Sequence, residues 1–181
     1  MRRAIFLLTT IALALVAAGG TAWAFDCGAG SCWGTPQGDL MIGTAAGEGL
    51  HGRGGDDLIR GKGGNDSLTG DAGDDAVFGG SGDDLVEGNR DGDLVVGGSG
   101  ADMVKGDRGR DALIDGLGRD VFKGGLGNDE IAPPGVGPGP PALYRQSDSI
   151  SCGPGEDRVI AHPLDEVAPD CEVVRRLRNP F

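Results

Sequence analysis

Apolar residues recur along this chain at intervals of nine, in one register. The column reads Met41, Leu50, Ile59, Leu68, Val77, Val86, Val95, Val104, Leu113, Phe122 and Ile131. Two residues before each stands a carboxylate: Asp39, Glu48, Asp57, Asp66, Asp75, Asp84, Asp93, Asp102, Asp111, Asp120 and Asp129. The frame is Gly-Gly-x-Gly-x-Asp-x-apolar-x, cleanest in the units starting at Gly79, Gly97 and Gly124. Nine units fill 52–132 without insertion or deletion. Two degenerate units precede them, starting at Gly34 and Gly43. Such self-similarity decides the architecture before any other feature.

Each x-apolar-x triplet predicts a very short strand with one side chain pointing in. The six residues before it predict a tight turn, since Gly at the first and fourth positions permits backbone conformations closed to other residues. Two units then make one turn of a coil. Successive turns stack as two parallel sheets with the apolar column between them. Eleven units predict about five and a half turns, a ladder roughly 26 Å long at ~4.8 Å per strand.

Composition changes the picture in two ways. With 37 glycines and 4% aromatics, the chain would read as disordered on composition alone; the phased column argues otherwise. The net charge of -12 disfavours nucleic acid and anionic membranes as partners and favours cations.

Stacking sets the charge in rows. Asp57, Asp75, Asp93, Asp111 and Asp129 fall on one edge of the coil; Asp66, Asp84, Asp102 and Asp120 fall on the other. Carboxylates about 5 Å apart repel strongly where water is scarce. Lys62, Lys105 and Arg110 are too few to neutralise them. A hard divalent cation fits. Calcium accepts six to eight oxygens in flexible geometry, from carboxylates and backbone carbonyls; magnesium demands a stricter octahedron.

These units closely resemble the hemolysin-type calcium-binding repeat of RTX proteins. The resemblance covers about 100 residues. It implies an all-β fold: a parallel β-roll, a right-handed solenoid with two nonapeptides per turn. It also implies several calcium ions shared between adjacent coils. Its aspartate ligands fall on Asp57, Asp66, Asp75, Asp84, Asp93, Asp102, Asp111, Asp120 and Asp129. Turn residues such as Gly64, Gly82, Gly100 and Gly118 complete the sites. Three departures stand out. The first two units lack the fourth-position Gly and carry Glu48, so they are expected to cap the roll or bind weakly. Asp91-Gly92 shifts a Gly by one place and is expected to distort its turn. Asp115 replaces a first-position Gly.

The flanks divide the chain further. Residues 1–24 read as a signal peptide: Arg2-Arg3, the apolar run Ile5 to Ala18, and Ala22-Trp23-Ala24 for cleavage. The mature chain would lose two arginines and reach -14. It would be secreted, extracellular or attached at the cell surface, with no membrane insertion after cleavage. Residues 25–33 form a Cys-containing segment, 34–132 the roll, 133–147 a Pro/Gly-rich linker and 148–181 a C-terminal cap. Local pairing joins Cys27 to Cys32 and Cys152 to Cys171, as an oxidising compartment permits. Zinc is the alternative for four cysteines, but the pairs lie far apart without a C-x-x-C spacing. In the cap, Asp148-x-Ile150 and Asp157-x-Val159 partly restore the repeat.

No enzyme is expected. Ser149 and Ser151 with His162 and Asp165 lack the elbow or helix that hydrolases and metalloproteases place around such residues. The flanks are expected to be too short for an enzyme domain. The alternative to a calcium-binding module is an extracellular adhesive or matrix protein, its roll a scaffold for an unidentified surface partner. The outward column Arg60, Thr69, Phe78, Glu87, Val96 and Lys105 offers no flat aromatic platform for sugars.

Overall fold

The structure, a computed structural model, describes residues 23–28, 30–114, 116–132 and 147–176. Residues 1–22 of the signal segment, 133–146 of the linker and Asp115 lie outside the described residues. The described residues form a parallel β-solenoid of about 8 turns without a helix.

One sheet holds β1 (Trp23–Asp26), β3 (Asp39–Ile42), β5 (Leu58–Gly63), β7 (Ala76–Ser81), β9 (Leu94–Ser99), β11 (Ala112–Ile114), β13 (Glu130–Ala132), β15 (Arg158–Ala161) and β17 (Val173–Arg176), in that spatial order. The other holds β2 (Ser31–Trp33), β4 (Gly49–His51), β6 (Ser67–Ala72), β8 (Leu85–Arg90), β10 (Met103–Arg108), β12 (Val121–Leu126), β14 (Ser149–Ser151) and β16 (Glu166–Val167). The chain alternates between them, so each strand pairs with the strand two further on. Ile59 lies opposite Val77, which lies opposite Val95. Leu68, Val86 and Val104 do the same on the other side.

The eighth-position column forms the core. All eleven side chains from Met41 to Ile131 are fully buried, at 0% exposure. Each contributes roughly 1.5–3 kcal/mol of apolar burial. The nine-residue spacing keeps the inward residue of every strand in register with its neighbour, which is why the column survives changes among Val, Leu, Ile, Met and Phe.

Two features differ from the sequence reading. Central strands run six residues rather than three. In β5, pairing covers Leu58 to Arg60, skips Gly61 and resumes at Lys62 opposite Gly80. The first-position Gly points inward, two residues after the apolar residue, as strand alternation requires. Only the fourth to sixth positions remain for the turn. The second difference is that the ladder continues beyond Ala132. Phe122 pairs with Ile150, and Ile131 with Val159, across a separation of 28 residues instead of 18. Ile150 and Val159, each 1% exposed, extend the core. The disulfide-closed C-terminal cap is thus built from coils of the roll itself.

Both disulfides join the expected partners, Cys27–Cys32 and Cys152–Cys171. The second closes a loop of 19 residues, a constraint of ~3 kcal/mol on the chain-entropy view. At the other end, β1 includes Trp23 and Ala24, which the signal reading assigns to the removed segment; from Phe25 onward the pairing with Met41 and Ile42 remains.

Phe122 is the largest fully buried side chain among the described residues, whereas Phe78 faces outward with the Arg60 guanidinium 5.6 Å from its ring centroid. Phe122→Ala is expected to cost about 3–5 kcal/mol in urea denaturation at saturating calcium. Phe78→Ala should cost about 1 kcal/mol or less. Equal costs would contradict the assignment of inner and outer faces.

Candidate metal centre

The sixth-position carboxylates lie inside the turns, not on the surface. Asp57, Asp66, Asp75, Asp84, Asp93, Asp102, Asp111, Asp120 and Asp129 are each 1–4% exposed. Their Oδ1 atoms form two ladders. The Asp57 N–H donates to Asp75 Oδ1 at 2.8 Å, Asp75 to Asp93 at 2.8 Å, Asp93 to Asp111 at 2.9 Å and Asp111 to Asp129 at 3.0 Å. On the opposite edge Asp66 donates to Asp84, Asp84 to Asp102 and Asp102 to Asp120. Each carboxylate therefore caps the backbone of the coil before it.

The second oxygen is different. Oδ2 of Asp57, Asp66, Asp75, Asp84, Asp93, Asp111 and Asp129 is buried and has no hydrogen-bond partner. A buried charged oxygen without a partner is costly. It faces a space bounded by backbone. A Cβ built on Gly79 would fall 2.5 Å from Asp84 Oδ2 and 2.4 Å from the Gly97 carbonyl oxygen of the next coil. Glycine at the first position keeps this cradle open, and the same pair of oxygens recurs around Gly52, Gly61 and Gly106.

Among the described residues no three His, Cys, Asp or Glu side chains converge. A cation here would draw on carboxylate and carbonyl oxygens, which suit a hard ion better than a soft one. The donor set fits calcium.

Electrostatics agrees with the geometry. Burial pushes the carboxyls of Asp57, Asp75 and Asp84 up to about 7 and that of Asp93 to about 8; neighbouring aspartates push in the same direction. The donated backbone N–H groups oppose the rise. Asp111 reaches about 6, and Asp66 and Asp129 are raised for the same reason.

A family model described as the RTX calcium-binding nonapeptide repeat, in four copies, matches residues 51–86, 78–113 and 96–131. Residues 51–131 are RTX repeats. No curated protein matches the chain.

The glycines of the RTX turns form a column of their own. Gly64, Gly82 and Gly100 take φ of 93°, 123° and 140°. A Cβ on Gly82 would meet the Gly64 carbonyl at 2.1 Å, and one on Gly118 the Gly100 carbonyl at 1.5 Å. The substituted turn at Asp91 is not distorted, contrary to expectation. Asp91 itself adopts φ 72°, and the ladder through Asp93 is intact. Aspartate is among the side chains that tolerate this left-handed backbone. Further along, among the described residues, β11 ends at Ile114 and a bridge joins Ser99 to Leu117.

The two degenerate units satisfy their carboxylates internally. Thr35 donates to Asp39 Oδ2 from its N–H at 2.5 Å and from its hydroxyl at 3.0 Å. Thr44 donates to the Glu48 carboxylate through both N–H and hydroxyl. These threonines stand at the second position, where later units bend to positive φ, as at Lys62, Asp71, Gly80 and Asn89.

Sequence reasoning did not assign two sets of residues to the site. Fifth-position side chains form an outer ladder: Asp56 Oδ1 accepts the Asp74 N–H, Asn65 that of Asp83, and Asp83 that of Ala101. The Asp/Asn bias of that column was the available signal. Asp148 and Asp157 also belong to the buried carboxylate column, accepting from the N–H groups of Asp120 and Asp129. Their signal was the restored Asp-x-apolar spacing. The polar residues Ser149, Ser151, His162 and Asp165 form no catalytic relay. Asp165 accepts from the backbone N–H groups of His162 and Asp148, and Ser151 donates to Asp170.

The raised carboxyls fix a pH dependence. Their folded values lie above the ordinary carboxyl value of 3.8. The protonated, metal-free roll is therefore most stable near and below that value, and this stability is lost as pH rises through about 6 to 8. In chelator, β-sheet circular dichroism should increase as pH falls from 8 to 5. A calcium ion held on these carboxyls would displace their protons, so calorimetry of calcium addition near pH 7 in buffers of different ionisation enthalpy should show proton release. Buffer-independent heats would contradict the assignment.

Proposed function

We propose that this protein is a secreted calcium-binding module whose roll folds as it takes up calcium. The observation that carries the reading is the row of buried Oδ2 atoms with no protein partner, those of Asp57, Asp66, Asp75, Asp84 and Asp111 beside a carbonyl oxygen of the next coil. The RTX repeat implies calcium, and these atoms supply the oxygens that calcium prefers. The pairs Asp57/Asp75, Asp66/Asp84, Asp75/Asp93, Asp84/Asp102, Asp93/Asp111, Asp102/Asp120 and Asp111/Asp129 would hold seven ions.

Calcium, when bound, would supply positive charge beside the buried aspartate oxygens. The aspartates orient the turn through Oδ1 and present Oδ2 to the ion. The first-position glycines leave it room, and the apolar column holds the two edges at fixed separation. An ion that binds only the stacked coils stabilises the native state by mass action. Extracellular modules meet calcium near millimolar concentration, which suits an address outside the cell. The fold is a structural, calcium-holding one, and its work is to present a rigid surface only where calcium is abundant.

The test is circular dichroism of the mature chain. In chelator at pH 7.5 the spectrum should be coil-like, and millimolar calcium should make it β-like and cooperative to melt. Equal magnesium should do little. Asp84→Ala, in the middle of one edge, should weaken the transition more than Asp39→Ala, whose carboxylate is held by Thr35. A chelated protein with a full β spectrum and a sharp melt would overturn the reading.

A further inference from the structure

The carboxylate column does not end where the recognised repeats end. Asp129 is 2% exposed, and its Oδ2 has no hydrogen-bond partner. A Cβ built on Gly124 would fall 2.6 Å from that oxygen and 2.5 Å from the carbonyl oxygen of Cys152. This is the cradle seen around Gly79, but its carbonyl comes from the disulfide-bonded C-terminal coil. That carbonyl already accepts the Gly125 N–H at 2.7 Å and keeps a second lone pair. Asp157 completes the correspondence. Its Oδ1 accepts the Asp129 N–H at 2.8 Å, although 28 residues separate the two. It is 0% exposed, and its Oδ2 also lacks a partner.

We propose that Asp129, the Cys152 carbonyl and Asp157 hold a further calcium ion across the C-terminal border of the matched repeats, and that this ion ties the C-terminal coils to the roll. The proposal rests on the calcium reading above. It also gives the edge a natural end. Cys152 stands where earlier units have the inward glycine, and its side chain, bridged to Cys171, occupies the space that glycine leaves open. Beyond it, the Asp157 N–H goes to Glu172 Oε2 at 3.0 Å. An ion on the Cys152 carbonyl holds that residue's backbone in the folded coil. Calcium occupancy and the reducibility of Cys152–Cys171 are thereby linked.

The experiment uses the full, oxidised chain. Native mass spectrometry counts calcium ions at saturation, and alkylation mapping follows reduction of each disulfide by dithiothreitol. Asp157→Asn should bind one ion fewer than the parent. At calcium ten times the dissociation constant, its Cys152–Cys171 bond should be reduced about tenfold faster than the parent's, with Cys27–Cys32 unchanged. Asp57→Asn, at the far end of the same edge, should lose an ion without exposing Cys152–Cys171. Should Asp157→Asn fail to fold, the parent alone suffices: calcium must slow reduction of Cys152–Cys171, and a calcium-independent rate overturns the proposal. An Asp157→Asn protein that binds the parent's full count and keeps its reduction rate also overturns it, and leaves the calcium reading intact. A parent that binds no calcium overturns both.

Discussion

The structure depends on one unfinished contact. Asp57, Asp66, Asp75, Asp84 and Asp111 each spend one oxygen on the backbone of the coil before and turn the other into a closed space beside a carbonyl of the coil after. No protein group answers that second oxygen in Asp57, Asp75, Asp84, Asp93 or Asp111. The core cannot compensate by itself, because it contributes one side chain per nine residues. Stability and charge neutralisation therefore converge on the same few atoms. A cation between coils would remove the repulsion, satisfy the oxygen and join consecutive turns in a single act.

The ends show what the chain does when no cation is used. Thr35 and Thr44 place a hydroxyl and an N–H on the carboxylates of Asp39 and Glu48, so these turns are complete without an ion. At the opposite end Asp165 Oδ2 takes the His162 N–H at 2.5 Å. The same buried position is thus filled by protein donors at the margins and left open through the middle. The open positions begin inside the RTX match, at Asp57, and run past its end at residue 131 to Asp157.

Much of this was legible in the sequence, for physical reasons. The apolar and acidic columns keep one spacing, and a stacked coil needs that spacing, so the two sheets, their register and the edge on which each aspartate falls follow directly. Strand length did not follow. Gly61 and Gly79 look like turn residues in a sequence, yet they lie within strands and point inward, where the absence of a Cβ makes the cradle. The left-handed second position was hidden as well, since Arg53 and Lys62 occupy it at φ near 80° and neither residue type announces that backbone. The coils after Ala132 were half visible through Asp148-x-Ile150 and Asp157-x-Val159; the long insertion before them broke the period that would have joined them to the roll.

The central claim is that a cation completes the contact that the aspartates leave open. The most direct measurement is a crystal structure of the calcium-grown protein with anomalous data. The account predicts a calcium peak between Asp84 Oδ2 and the Gly97 carbonyl, repeated coil by coil along both edges. Water at that position, or an Asp84 carboxylate rotated onto a protein donor with no ion beside it, would contradict the account.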